Sequence, residues 1–149
     1  MDTLSVRWNG KRQYVSWDEV GHTVVMDARP EYHGDGAGMR PLQVFLAGLA
    51  GCTAMDVISI LEKKRQDVRD LEVSVEADQR EDDFPKIYTA IRLRFTVVGF
   101  GVSSEAVRRA IELSEEKYCS VKGMLGPQVT VATSFEIVEA STAGTPSGR

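Results

Sequence analysis

Leu4, Val6 and Trp8 alternate with polar neighbours in "LSVRW", and Asn9-Gly10 follows as a two-residue hairpin signal. The segments 12–17 ("RQYVSW") and 22–28 ("HTVVMDA") are the next two predicted strands. The glycine-rich, polar run 29–39 ("RPEYHGDGAGM") reads as a loop. Its scattered glycines suit a flexible connection, or a nest of backbone N–H groups that holds an anion. Pro41 suits the first turn of a helix, where its missing N–H has no partner to lose. That helix is predicted from Leu42 to Lys64, with "KKR" at its end opposing the macrodipole favourably.

Period-two alternation marks three more strands. Leu71, Val73, Val75 and Ala77 form the apolar face of one. Ile87, Ile91, Leu93, Phe95 and Val97 form that of the next, and Val129, Val131, Phe135 and Ile137 that of the last. The charged run "DQREDDFPK" closes the hairpin between the first two. A second helix starts after Gly101 with Ser103 or Ser104 as cap and Glu105 in its first turn. Its inner stripe is Val107, Ala110, Ile111, Ser114 and Tyr118, and "SVKGMLG" beyond Cys119 is an extra helical turn or a loop.

The order is β-β-β-α-β-β-α-β, an α+β fold with two main helices against antiparallel sheets. No internal repeat or linker interrupts it. Residues 1–139 are expected to form a single domain, and residues 140–149 a flexible C-terminal tail. The first helix is apolar almost all round, so it needs cover on more than one side. A second copy of the chain is the economical source, and an obligate homodimer is expected.

Segment 44–61 is apolar enough to raise a membrane reading. It carries Thr53, Asp56 and Ser59 and stands alone in a chain of half-buried strands, so it reads as a core helix. The 149 residues suit one domain, and a formal charge of −4 leaves no basic footprint for a nucleic-acid or membrane partner. The first residues show no secretory pattern. The expected location is the cytoplasm, where both cysteines start reduced.

Cys52 lies in "AGLAGCTAMD", and Gly48 and Gly51 each weaken a helix interior by about 1 kcal/mol relative to Ala. Small residues around a thiol allow two readings: a surface where another backbone packs closely, or a space into which the thiol points. Cys119 is likewise either a buried core residue or a second reactive thiol. No metal site is expected, because there is no Cys-x-x-Cys and neither His22 nor His33 has ligand-like spacing to a cysteine. His22 reads as a surface or half-buried residue and His33 as part of a loop. Serine-hydrolase, phosphate-loop and dinucleotide motifs are missing from the sequence, and no cofactor is expected.

The segments "RPLQVFLAGLAGCTAMDVISIL" and "AIELSEEKYCSVKGML" resemble the two cysteine motifs of the OsmC/Ohr family, the osmotically inducible and organic hydroperoxide resistance proteins. The likeness is to a poorly characterised OsmC-like branch and runs over residues 3 to 139. It implies an intertwined α+β homodimer and a thiol peroxidase acting on small organic hydroperoxides in oxidative-stress defence. By resemblance Cys52 is the peroxidatic thiol and Cys119 the resolving thiol, and a dithiol, often of lipoyl type, reduces their disulfide. Family enzymes also carry an arginine that holds the thiolate and a glutamate that positions it. Arg29 in "MDAR" corresponds to the arginine, with Arg40 as its rival. Leu42 and Gln43 stand where the glutamate belongs; Gln43 can hydrogen-bond a guanidinium but cannot neutralise it. That departure keeps a second reading open, a non-catalytic dimer binding a small apolar ligand near Cys52. A third reading makes the chain an interaction module whose cysteines only pack.

Overall fold

The computed structural model describes residues 1–141, so most of the predicted tail lies outside the described residues. Ala140, placed in that tail by the sequence, still donates its N–H to Gly99 O at 2.8 Å. The chain divides into two compact units, Met1–Ala47 and Gly48–Arg149, with the boundary inside the first long helix.

The first unit carries β1 (Leu4–Trp8), β2 (Tyr14–Asp18) and β3 (Thr23–Met26), an antiparallel sheet in the order β1-β2-β3. The β1–β2 connection is longer than the predicted Asn9-Gly10 turn. Gly10 and Lys11 both take positive φ, and Asn9 N donates to Gln13 O at 2.8 Å. The register pairs Val6 with Ser16 and Ser16 with Val24, which puts Leu4, Val6, Trp8, Tyr14 and Val24 on one face. Leu4, Val6 and Trp8 are 70%, 52% and 62% exposed.

After β3 the chain wraps around a single carboxylate. Asp27, 2% exposed, accepts N–H bonds from Ala28 (2.7 Å), Asp35 (3.2 Å) and Ala37 (3.1 Å). The glycine-rich run is therefore an anion nest occupied by the chain's own side chain. His33 closes a 3-10 turn at Pro30–Tyr32 with φ 66°, a tighter role than a plain loop residue. His22 pairs with Asp18, Nδ1 to Oδ2, at 2.7 Å.

Those amides, Ala37 first, and the charge of Lys11 hold the Asp27 carboxyl below its ordinary range. A carboxyl whose folded pKa lies below its unfolded value of about 3.9 stabilises the fold above that pH and loses the effect on acidification. Asp27→Asn should remove that acid-side dependence from the stability profile. A Cβ on Gly34 would sit 1.9 Å from Ala28 O. Gly34→Ala should therefore destabilise the protein by about 2 kcal/mol or more, read as a lower urea midpoint.

The helix α1 runs from Pro41 to Lys63, within one residue of its predicted ends. Its stop is a Schellman motif: Gln66 N donates to Leu61 O (3.0 Å), Arg65 N to Glu62 O (2.8 Å), and Arg65 takes φ 56°. Within it Leu49, Ala50, Thr53, Val57 and Leu61 are buried, one stripe at helical spacing.

The second unit holds β4 (Asp67–Gln79), β5 (Tyr88–Phe100) and β6 (Thr130–Glu139), in the order β4-β5-β6. The predicted alternation is the observed one: Ile91, Leu93, Phe95 and Val97 point inward on the central strand, each 2% exposed or less. Strand β6 pairs parallel to β5, against the expectation of purely antiparallel sheets. The reason lies in the connection. Residues 101–129 return the chain across the sheet through α2 (Ser104–Leu113) and α3 (Ser120–Gly123), and a crossover of that kind delivers a parallel strand.

Ser103 caps α2, its hydroxyl accepting Ala106 N–H at 3.3 Å. Ala106, Val107, Ala110 and Ile111 are buried as the stripe predicts, and Ser114 with them. Tyr118, the last residue of the predicted stripe, is 49% exposed. Residues Ser114–Tyr118 form a π-helical turn, whose wider spacing takes position 118 off the α-helical stripe.

Candidate thiol site

Cys52 sits on α1, half-buried, one residue before the buried stripe position Thr53. Cys119 is 6% exposed and caps α3. The π turn leads directly to it, closed by Cys119 N donating to Ser114 O at 2.8 Å. The Sγ atoms of Cys52 and Cys119 and a carboxylate oxygen of Asp56 all lie within 4.8 Å of one another. Both cysteines are free thiols. Spacing along the chain gave no sign of this approach; the fold of the second unit creates it.

The neighbours of the two thiols are polar and satisfied. Thr53 Oγ1 donates to Leu49 O (3.0 Å) and lies 3.5 Å from Cys119 Sγ. With the hydroxyl proton on Leu49 O, Thr53 is placed to accept the Cys119 S–H. Lys122 N donates to Cys119 Sγ at 3.5 Å. Ser114 Oγ, fully buried, donates to Asp56 Oδ2 at 2.8 Å. Asp56 follows Cys52 by four residues, so one helical turn places both on one face.

Asp56, Thr53 and Ser114 are the site residues that the sequence reading missed. Asp56 entered it only as a charge against a membrane span, and Ser114 only as a core position. The i, i+4 spacing of Cys52 and Asp56 was the available signal. Beside the site a cleft of about 330 Å³ is lined by Asp56, Ile60, Leu113 and Tyr118, with Lys63 and Lys64 at its wall.

The other two predicted residues belong to the first unit. Gln43 Oε1 accepts from Arg40 N (3.0 Å) and Arg40 Nε (3.3 Å), so the glutamine does engage a guanidinium, that of Arg40. Arg29 precedes the 3-10 turn, its guanidinium about half exposed and 3.9 Å from Glu31.

Comparison with known proteins follows the same lines. The family described as OsmC-like protein matches residues 34–134, more than half of the chain. This chain belongs to the OsmC-like family. Protein YhfA of Escherichia coli K12 is 41% identical over 135 residues, covering 91% of this chain and 97% of that protein. A crystal structure of a hypothetical protein from Aquifex aeolicus VF5 superposes with a TM-score of 0.81 at 28% identity, covering 95% of this chain and 98% of the other. The organic hydroperoxide resistance protein OhrB of Bacillus subtilis superposes at 0.62 with 18% identity, covering 91% and 98%; at that identity the likeness is one of fold. The mixed α+β architecture is thus that of OsmC-like structures, and the neighbouring cysteines are consistent with redox chemistry in such a fold.

Proposed function

We propose that this OsmC-like chain is a thiol peroxidase that reduces small organic hydroperoxides through a Cys52–Cys119 disulfide. The observation that carries the reading is the approach of the two free thiols to within 4.8 Å, one half-buried and one buried, in an OsmC-like fold. The chemistry balances simply. The Cys52 thiolate attacks the O–O bond of ROOH and, with one proton, gives Cys52 sulfenic acid and ROH. The Cys119 thiol displaces hydroxide from that sulfur, forming the disulfide and water. Two electrons and two protons from a dithiol restore both thiols.

Each neighbour has a part in this cycle. The Lys122 N–H donates to Cys119 Sγ and Thr53 Oγ1 is placed to accept its S–H, which together hold the resolving thiol in position. The small residues about Cys52 leave room for an alkyl group; a Cβ on Gly48 or Gly51 would meet nothing within 4 Å. By resemblance to the family, an arginine holds the Cys52 thiolate during the attack. Arg29 and Arg40 compete for that role, with Gln43 as a positioning residue. Arg29→Ala and Arg40→Ala separate them: the variant lacking the true partner should slow first-turnover peroxide reduction about a hundredfold, and the other should stay near wild type.

The working form we propose is a cytoplasmic homodimer in which residues 1–139 act as one domain. Its support is uncovered apolar surface. Leu4, Val6 and Trp8 expose one sheet face, Leu42 and Met55 are 41% and 72% exposed, and only 22% of the most apolar window of α1 is buried within the chain. The test of the function is consumption of an alkyl hydroperoxide with dihydrolipoamide as reductant. Turnover that needs both the protein and the dithiol supports the reading, and none above the dithiol alone refutes it.

The cleft beside Asp56, with Ile60, Leu113 and Tyr118 on its walls, favours one other reading, a binder of small apolar ligands. Saturable binding there, unchanged in Cys52→Ser and without peroxide turnover in wild type, would favour it.

A further inference from the structure

We propose that Cys52, Asp56 and Cys119 form a binding site for a thiophilic divalent cation of the zinc class. Three potential ligand atoms, two sulfurs and one carboxylate oxygen, lie within 4.8 Å of one another. Bond lengths of about 2.3 Å to sulfur and 2.0 Å to oxygen put tetrahedral ligands roughly 3.5–3.8 Å apart, so side-chain rotation closes the remaining gap. Cys52 and Asp56 stand four residues apart on α1, the spacing by which a single helix offers two ligands to one zinc ion. Cys119 enters from a different element, the start of α3, which gives the third direction that a metal centre requires.

The surroundings fit a ligand set. Ser114 Oγ donates to Asp56 Oδ2 at 2.8 Å, which fixes the carboxylate. Ligating carboxylates are commonly held by such an outer hydrogen bond. The Lys122 N–H donates to Cys119 Sγ at 3.5 Å, which fixes the position of that sulfur. Charge points the same way. The Asp56 carboxylate brings a negative charge to the site, and among the described residues it makes no ion pair. The nearby Lys122 ammonium is turned to Glu115 O at 3.3 Å.

Binding replaces two thiol protons with one M²⁺ and leaves a net charge of −1, with a fourth position open to water or a small ligand. The expectation of no metal site rests on the spacing of cysteines and histidines alone, and the proposed site adds Asp56 to them. The two sulfurs that would hold the ion are those joined in the proposed disulfide, so metal and disulfide exclude each other.

The test is anaerobic titration of the reduced full-length protein with Co²⁺, followed by Zn²⁺ displacement. One equivalent per chain should produce a thiolate-to-cobalt band in the near ultraviolet and strong visible bands of a four-coordinate ion, abolished by Zn²⁺. Cys52→Ser and Cys119→Ser should each weaken the near-ultraviolet band. Asp56→Asn should weaken Co²⁺ binding at least about tenfold and Ser114→Ala about tenfold, with circular dichroism confirming that each variant is folded. No thiolate-to-cobalt band in the wild type would overturn the site by itself, whatever the variants do. Unchanged affinity in a folded Asp56→Asn would overturn it as well. No peroxide enters the experiment, so its outcome is independent of the peroxidase reading.

Discussion

Replacing Cys52 with Ser should lower the first-turnover rate with an alkyl hydroperoxide at least about a thousandfold, because the nucleophile itself is gone. Replacing Cys119 with Ser should leave that first turnover intact and stop the second. The sulfenic acid on Cys52 then has no thiol within 4.8 Å to condense with, and steady-state turnover with a dithiol should fall steeply. Stopped-flow mixing with one equivalent of peroxide, followed by steady-state assay, reads both effects. The asymmetry is the informative part. Two cysteines that only packed the core would give two similar phenotypes, seen in stability rather than in turnover.

The thiol site was only partly legible in the sequence. Cys52 was singled out by the glycines and alanines that flank it, a local signal. Its closeness to Cys119 was not local: it requires α1 and the π turn at Ser114–Tyr118 to present their polar residues to each other. A π turn has no sequence mark comparable to a capping box, so α-helical spacing puts Tyr118 on a stripe that the π turn moves it off. Asp56 was visible as a residue and invisible as a neighbour. The strands were more legible, since alternation reports which face is buried and Ile91, Leu93, Phe95 and Val97 lie where it put them. Strand direction was not, because the same alternation serves parallel and antiparallel partners and only the path through α2 and α3 decides between them.

The largest effect on stability is expected at Phe95. It is fully buried on the central strand β5, opposite Val73 on β4 and Phe135 on β6, so its ring has neighbours on both sides of the sheet face. Phe95→Ala should cost about 3–5 kcal/mol, the lost transfer of the ring together with the cavity left behind. Against a typical total of about 5–15 kcal/mol this leaves a marginal fold. Urea unfolding should show a midpoint far below wild type with a similar slope, and Phe95→Leu, which keeps most of the volume, should recover a large part of the difference. A fall of less than about 1 kcal/mol would mean that the site collapses around the cavity.

The central claim is that Cys52 and Cys119 act as one redox pair, and one measurement tests it most directly. The reduced protein is mixed with one equivalent of an alkyl hydroperoxide, quenched within seconds, and its intact mass and disulfide peptides are determined alongside Cys119→Ser. The expected result is loss of two hydrogens from the wild type with a Cys52–Cys119 cross-linked peptide, and a single added oxygen on Cys52 in the variant. A wild-type protein whose mass stays unchanged while the peroxide persists would contradict the claim.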